Sequence, residues 1–178
     1  MKVQVRRGTF ETNSSSTHSL SITERKPSLQ KFIKGQNIVL TGYQRDEYYT
    51  YYGVRTFNSQ EEKANLLINA LYVIIDSETD ISLWSIDDYE LRYEYLMCQP
   101  QFAWLKEVIE EETHGTVSYP KFEDLKDKYE YFDTIFDDDR NVSDILDIDF
   151  NDELKFKARA KEIIFNDDIT ISYSVHEN

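Results

Sequence analysis

The chain has 178 residues, 40% of them hydrophobic and 14% aromatic, which is enough to fold around a core. Its single cysteine excludes an internal disulfide and a cysteine-based metal site. No apolar run approaches the roughly 20 residues of a membrane span, and no signal segment opens the chain, so we expect a cytoplasmic protein without membrane contact.

The net charge of −14 is distributed unevenly along the chain. Residues 1–58 carry nine Lys/Arg and four Asp/Glu, whereas residues 59–178 carry eleven Lys/Arg and thirty Asp/Glu. This composition disfavours direct binding of duplex DNA, which requires clustered Lys and Arg. It favours an acidic surface together with an anion-tolerant region near the N-terminus, although the acids could equally be solvated helix faces.

The predicted elements begin with strands and continue with helices. In chain order they are a strand over 2–6, an alternating strand over 17–23, a helical turn over 27–35, a strand over 37–41, a tyrosine-rich hairpin or ordered loop over 42–56, and helices over 60–76, 87–97 and 101–113. They continue with a strand over 116–119, a helix over 122–136, a helix from about 152 to 165, and a strand over 169–175.

Local signals fix several of the helix starts. Ser59 and Glu62 have the spacing of a capping box before the helix over 60–76. Ser85 is predicted to cap the helix over 87–97, and Asn151 the last helix. Pro100 favours a helix start at about 101.

Neither a repeat nor a Pro/Gly-rich linker divides the chain. We therefore predict an α+β fold, formed by a single helix-rich domain over residues 1–178. Its small, mainly antiparallel sheet is expected to pair the N-terminal strands with the C-terminal strand.

Polar side chains are densest between residues 6 and 18. Arginine guanidinium groups bind phosphate or carboxylate through two hydrogen bonds, and hydroxyl groups add further donors to such a site. The ordinary pKa of histidine is close to neutral pH, so a histidine can accept and donate a proton. The predicted ligand-binding residues are Arg6, Arg7, Glu11, Asn13, Ser14, Ser15, Ser16, Thr17 and His18. A loop whose Ser and Asn side chains satisfy its own backbone is the other interpretation. His18 would be the acid or base of an enzyme, but spacing alone assigns no complete catalytic set.

Two acidic stretches begin like calcium-binding loops and then depart from the pattern. After Asp147 and Asp149, Asp152 occupies the position that requires glycine, and Ala158 the position of the bidentate glutamate. The stretch from Asp137 fails in the same way. We expect no metal and no cofactor. The tyrosines between 48 and 52 could stack bases, bind a protein or simply pack on an edge strand.

The segment RGTFETNSSSTHS, residues 7–19, resembles the opening of uncharacterised small proteins of bacteriophages and of prophage regions in Gram-positive bacteria. The resemblance covers about the first twenty residues and carries no assigned activity, cofactor or catalytic residue. It implies a phage-type context, in which small acidic proteins antagonise host functions.

We therefore expect a phage-type accessory protein that acts by binding, as an acidic inhibitor of a host nucleic-acid-handling or defence protein in the host cytoplasm. An array of carboxylates can imitate the phosphates of DNA and meet a basic surface of the host protein. The predicted partner-binding residues are Asp137, Asp138, Asp139, Asp147 and Asp149. The alternative is an enzyme or binding protein for a phosphate-containing or nucleotide ligand, using the polar N-terminal segment. A homo-oligomer is compatible with either.

Overall fold

A computed structural model of the chain describes residues 6–11, 16–24, 30–42, 53–78, 88–125 and 142–177. These residues form an α+β fold, as predicted. The strands are β1 (Arg6–Glu11), β2 (Ser16–Glu24), β3 (Asn37–Val39), β4 (Gly53–Phe57), β5 (Thr116–Ser118) and β6 (Ile169–Glu177). The helices are α1 (Gln60–Glu78), α2 (Tyr89–Met97), α3 (Pro100–Thr113), a 3₁₀-helix (Phe122–Asp124), α4 (Val142–Leu146) and α5 (Glu153–Phe165).

The larger sheet is antiparallel and has the strand order β1-β2-β6-β4. It joins the N-terminal strands to the C-terminal strand, which confirms that part of the prediction. The register places Ile22 opposite Ile171, so apolar residues of neighbouring strands share one face. Phe57 and Ile171 are fully buried, and this face of the sheet therefore closes the core.

The smaller sheet pairs β3 with β5 in parallel, an arrangement that the predicted antiparallel sheet did not include. Ile38 and Val117 occupy paired positions and are buried against the core. The β3–β5 pair approaches the end of α3 so closely that a Cβ added to Gly115 would lie 2.3 Å from the backbone oxygen of Gln36. Glycine is therefore required at this position.

Helix α1 is the centre of the core. A helix that is apolar on most sides must be enclosed by other elements, and α1 contacts α4, α5 and β4. Its fully buried residues include Ala64, Leu66, Leu67, Ile68, Ala70 and Leu71. None of the described helices is both long and apolar enough to cross a membrane.

The predicted capping box at the start of α1 is confirmed. The Glu62 backbone N–H donates to Ser59 Oγ at 3.1 Å, and the Glu62 carboxylate accepts from the Ser59 N–H at 2.9 Å. It also accepts from the Asn58 N–H, so the backbone donors of Asn58, Ser59 and Glu62 all have side-chain acceptors at the start of α1.

Removing one half of this capping box gives a measurable prediction. Ser59→Ala is expected to lower the free energy of unfolding by about 1 kcal/mol, because the Glu62 N–H loses its side-chain acceptor. Urea unfolding followed by circular dichroism measures the change. Ser59→Asn restores an acceptor and serves as the control, so an equal loss in both variants would contradict the explanation.

Two predicted caps are wrong by a few residues. Asp88, rather than Ser85, precedes α2, and its carboxylate accepts from the N–H groups of Glu90 and Leu91. Asp152, rather than Asn151, caps α5 by accepting from Lys155. Asp, Asn and Ser all cap helices well, so the choice among neighbouring candidates depends on the local backbone angles. Ser85 itself lies outside the described residues.

Three further boundaries differ from the prediction. The first strand was predicted over 2–6, whereas the first described strand runs from Arg6 to Glu11, because β2 pairs with it along its whole length. Residues 30–36 contain a turn at Gly35, with φ +76°, and no helix. The segment from Phe122 forms a short 3₁₀-helix that ends in extended backbone at Leu125. Residues 2–5, 27–29 and 126–136 of these predictions lie outside the described part.

Candidate functional site

Strands β1 and β2 carry most of the polar N-terminal residues predicted to bind a ligand. Arg6, Arg7 and Glu11 belong to β1, and Ser16, Thr17 and His18 belong to β2. Asn13, Ser14 and Ser15 lie outside the described residues. Glu11 is paired with Thr17, and Phe10 with His18, so the described residues on either side of 12–15 are antiparallel paired strands.

The alternation of the strands divides these residues into two groups. Successive strand residues belong to opposite faces of a sheet, and directly paired residues share a face. Arg7, Glu11 and Thr17 therefore fall on one face, and Arg6 and His18 on the other. A single pocket that contains all of these residues stays a prediction.

Strand β6 pairs with β2 and places beside it several polar residues that the sequence analysis did not single out. His176 is paired with Thr17, Ser174 with Ser19, and Ser172 with Ser21. The alternating pattern of residues 169–175 predicted the strand, but more than 140 residues separate the partners, so no local pattern gives the pairing. Across β6, Thr56 of β4 continues the row of Ser172, and the two hydroxyl oxygens lie 3.4 Å apart.

A buried lysine holds the start of β6 in place. Lys63 of α1 is only 1% exposed, and its Nζ donates to the backbone oxygens of Asn166 and Ile169 at 3.1 Å each. Burial lowers the pKa of Lys63 to about 8, and the Asp167 carboxylate opposes this shift. Lys31 forms an ion pair with Asp167 from the solvent side, so the turn between α5 and β6 is held by two lysines.

The acidic residues predicted to contact a partner have different surroundings. Asp137, Asp138 and Asp139 lie outside the described residues. Asp147 follows α4 in the left-handed region with φ +57° and is exposed. Asp149 forms an ion pair with Lys155 at 3.0 Å, and this hydrogen bond lowers the pKa of the carboxyl. Its charge is therefore partly compensated within the protein by Lys155, which also pairs with Asp152.

The same balance extends along the packed helices α3 and α5. Each basic side chain of α5 is paired with at least one carboxylate. The pairs are Lys155 with Asp149 and Asp152, Lys157 with Glu107 and Glu153, Arg159 with Glu162, and Lys161 with Glu112. Lys157 donates hydrogen bonds to the carboxylates of Glu107 and Glu153, and these bonds raise the pKa of Lys157. We call this surface the paired face, and its carboxylates are largely neutralised.

Helix α2 and the 3₁₀-helix carry a second group of exposed acidic residues, which have few cations beside them in the part of the chain that the structure describes. Tyr93 of α2 joins the two elements, since its hydroxyl donates to the Pro120 oxygen at 2.5 Å and its ring lies 5.9 Å from that of Phe122. Burial raises the pKa of Tyr93 to about 12 and keeps this hydroxyl a donor.

The exposed acidic residues of these two elements define what we call the open acidic face. They are Glu90 and Glu94 of α2 and Glu123 and Asp124 of the 3₁₀-helix. Among the described residues, the basic ones nearby in sequence are Lys121, which pairs loosely with Glu123 at 3.5 Å, and Arg92, which is buried with its guanidinium against the Tyr89 ring. Lys126 and Lys128, which follow Asp124, lie outside the described residues. Leu91 lies within the face and is 56% exposed.

No group of three or more His, Cys, Asp or Glu side chains among the described residues is placed to hold a metal ion. Comparison with known proteins finds no matching protein family, no matching curated protein and no matching solved structure.

Proposed function

We propose that the protein acts by binding, and that the open acidic face contacts a basic surface of a host protein that handles nucleic acid. The observation that carries this proposal is the contrast between the two acidic surfaces. On the paired face, lysines and an arginine of the same chain occupy the carboxylates. On the open acidic face, Glu90, Glu94 and Asp124 are exposed, and the neighbouring arginine is buried.

Carboxylates that have no close cation among the described residues are the ones on which the proposal rests, because a partner can supply the missing positive charge. A carboxylate already held by a lysine contributes little further attraction, whereas exposed carboxylates of one sign create a field that steers a cationic partner. Leu91 adds an exposed apolar side chain between Glu90 and Glu94, and burying it would add contact energy at short range. The open acidic face therefore offers electrostatic attraction to an approaching cationic partner and an apolar contact at Leu91 once the partner is bound.

The class of partner is inferred from charge and from the opening of the sequence. Basic protein surfaces are common where nucleic acid binds, since they must match phosphate charges. The resemblance of residues 7–19 to phage and prophage proteins supports a host antagonist. Asp137, Asp138 and Asp139 could extend the acidic surface, and that part of the proposal rests on the sequence alone.

Two sets of four substitutions test the proposal, and both remove the same charge. The first set, on the open acidic face, is Glu90→Gln, Glu94→Gln, Glu123→Gln and Asp124→Asn. The matched control, on the paired face, is Glu107→Gln, Glu112→Gln, Glu153→Gln and Glu162→Gln. Each tagged protein is used to capture partners from a lysate of a Gram-positive host, and the affinity for the purified partner is then measured at low and high salt.

We expect the first set to weaken binding about tenfold or more, and the control set to weaken it less than about threefold. Binding should fall as salt rises, because screening acts within about 8–10 Å at ordinary ionic strength. Duplex DNA should displace the protein from the same partner. Equal losses in the two sets would show that only net charge matters. A partner whose binding ignores salt or DNA would refute phosphate mimicry.

A further inference from the structure

The two edges of the β3–β5 sheet differ in how the described residues occupy them. In a parallel pair, alternate residues of each strand direct their backbone N–H and C=O groups to the partner strand. The Thr116 N–H donates to the Gln36 oxygen at 3.1 Å, and the Leu40 N–H donates to the last residue of β5 at 3.0 Å. The even-numbered residues of this stretch therefore face β5, so the backbone groups of Asn37 and Val39 point away from it.

The outer edge of β5 is occupied by a side chain of the same protein. Val117 is the outward residue of this strand, and its N–H donates to the Glu110 carboxylate of α3 at 2.7 Å. Lys106 lies 3.8 Å from the same carboxylate. Because the outward N–H of β5 already has an acceptor, this edge offers no donor to an added strand.

The outer edge of β3 has no such protection among the described residues. None of them forms a hydrogen bond with the outward backbone groups of Asn37 or Val39. Both residues are exposed, Val39 to 48%. Natural proteins protect edge strands with charged residues or proline, and residues 36–40 contain neither. The backbone of β3 is therefore a template on which one more strand can form.

Exposed apolar side chains accompany this edge. Four large apolar side chains are exposed in the described part of the chain, and two of them are Ile33, at 72%, and Val39. The turn before β3 holds Ile33 beside the strand, because the Gln36 N–H donates to the Ile33 oxygen at 3.2 Å and the Ile33 N–H donates to the Gln36 side chain at 3.1 Å. An added strand would thus cover apolar surface as well as form backbone hydrogen bonds.

The charge beside this edge is positive, although the net charge of the protein is −14. Residues 30–42 contain Lys31 and Lys34 and no acidic residue. Lys31 is paired with Asp167, whereas Lys34 is exposed and has no ion pair among the described residues. A carboxylate of a partner would supply the missing negative charge. We use the name β3 edge for the outward backbone of Asn37 and Val39 together with the exposed side chains of Ile33, Lys34 and Val39.

We propose that the β3 edge binds an extended, acidic segment of a partner protein, which adds to β3 as an antiparallel strand. In this arrangement one residue of the segment exchanges both backbone hydrogen bonds with Val39, and a second residue does so with Asn37. An apolar side chain opposite Val39 packs against it, and a carboxylate beyond Asn37 meets Lys34. The open acidic face is proposed to bind a basic surface, so the two proposals concern partners of opposite charge and are independent.

Three synthetic peptides serve as probes of the β3 edge. The first has the sequence Ser-Val-Thr-Val-Thr-Asp-Asp with both ends capped, so that its valines can pair with Val39 and Asn37 while its aspartates reach Lys34. The second has lysines in place of the two aspartates. The third keeps the aspartates but carries N-methyl groups on both valines, which removes the donors that would pair with β3. Each is added to the full chain at constant ionic strength, and ¹⁵N NMR follows the backbone amides.

We expect saturable shifts of the Asn37 and Val39 amides with the aspartate peptide. The lysine peptide should bind about fivefold more weakly or less, and the N-methylated peptide should produce no saturable shifts. Equal binding of the aspartate and lysine peptides, or the absence of saturable shifts with the aspartate peptide, would overturn the proposal. Shifts of the same amides when only the protein concentration is raised would assign the β3 edge to a second copy, which would also overturn it.

Variants of the chain test the backbone and the charge separately. Val39→Pro removes the outward N–H without removing a bond to β5, because proline is tolerated on the solvent side of an edge strand. This variant should lose the saturable shift of the Asn37 amide, whereas Val39→Thr keeps the N–H and should bind within about threefold of the unmodified chain. Lys34→Gln should weaken binding of the aspartate peptide about two- to fivefold, and Lys161→Gln, on the paired face, less than about 1.5-fold.

Two results with these variants would contradict the proposal. One is unchanged binding of the aspartate peptide by Val39→Pro, because the added strand needs that N–H. The other is an equal effect of Lys34→Gln and Lys161→Gln, since only Lys34 belongs to the β3 edge. If Val39→Pro fails to fold, the N-methylated peptide decides the same question with the unmodified chain: binding equal to that of the aspartate peptide would exclude an added strand.

Discussion

Replacing Gly115 by alanine is expected to lower the free energy of unfolding by about 2–4 kcal/mol, the largest effect of a single methyl group that we foresee in this protein. The new Cβ would lie 2.3 Å from the Gln36 backbone oxygen. That oxygen accepts from the Thr116 N–H at 3.1 Å, so relieving the overlap breaks the first bond between β3 and β5. Chemical unfolding of the two proteins measures the difference.

Gly35 provides the control for this experiment. A Cβ at Gly35 would have no atom within 4 Å, so Gly35→Ala adds no overlap and meets only the cost of its positive φ of +76°. That cost is about 1–2 kcal/mol. If Gly115→Ala proved no more destabilising than Gly35→Ala, the close contact with Gln36 would not control the stability of the β3–β5 pair.

The buried Lys63 is expected to make the stability of the protein depend on pH above neutrality. Its pKa of about 8 in the folded protein lies below the ordinary lysine pKa of 10.5, which we take for the unfolded chain. Between these values the unfolded state binds more protons, so the free energy of unfolding rises with pH. We expect a gain on the order of 1–2 kcal/mol between pH 7.5 and 9.5 from this group.

Lys63→Met isolates this contribution. The variant should lose the gain in stability between pH 7.5 and 9.5, whereas Lys34→Met, at an exposed lysine, should keep it. Tyr93 acts in the opposite direction above about pH 10, since its raised folded-state pKa means that ionisation favours the unfolded chain. Denaturant unfolding between pH 7.5 and 9.5 therefore measures the contribution of Lys63, because this range lies below the pH at which Tyr93 ionises. The same slope in all three proteins would exclude Lys63 as its source.

The sequence by itself determined the elements whose signals are local. The capping box at Ser59 and Glu62, the apolar residues of α1, and the Pro100 that begins α3 each act within a few residues, so they can be recognised without knowing the fold. The α+β class followed from the count of helices and strands. The alternation of residues 17–23 and 169–175 also predicted two strands of the larger sheet.

Only the tertiary structure decided which distant residues became neighbours. The pairing of Thr17 with His176 and that of Thr56 with Ser172 depend on register across strands that are far apart in sequence. Similarly, the sequence counted acidic residues but could not say which are neutralised, because the lysines that bind Glu107 and Glu112 belong to another helix. Alternation and capping are local properties of the backbone, whereas pairing and charge balance depend on how the elements pack, and that packing separates the paired face from the open acidic face.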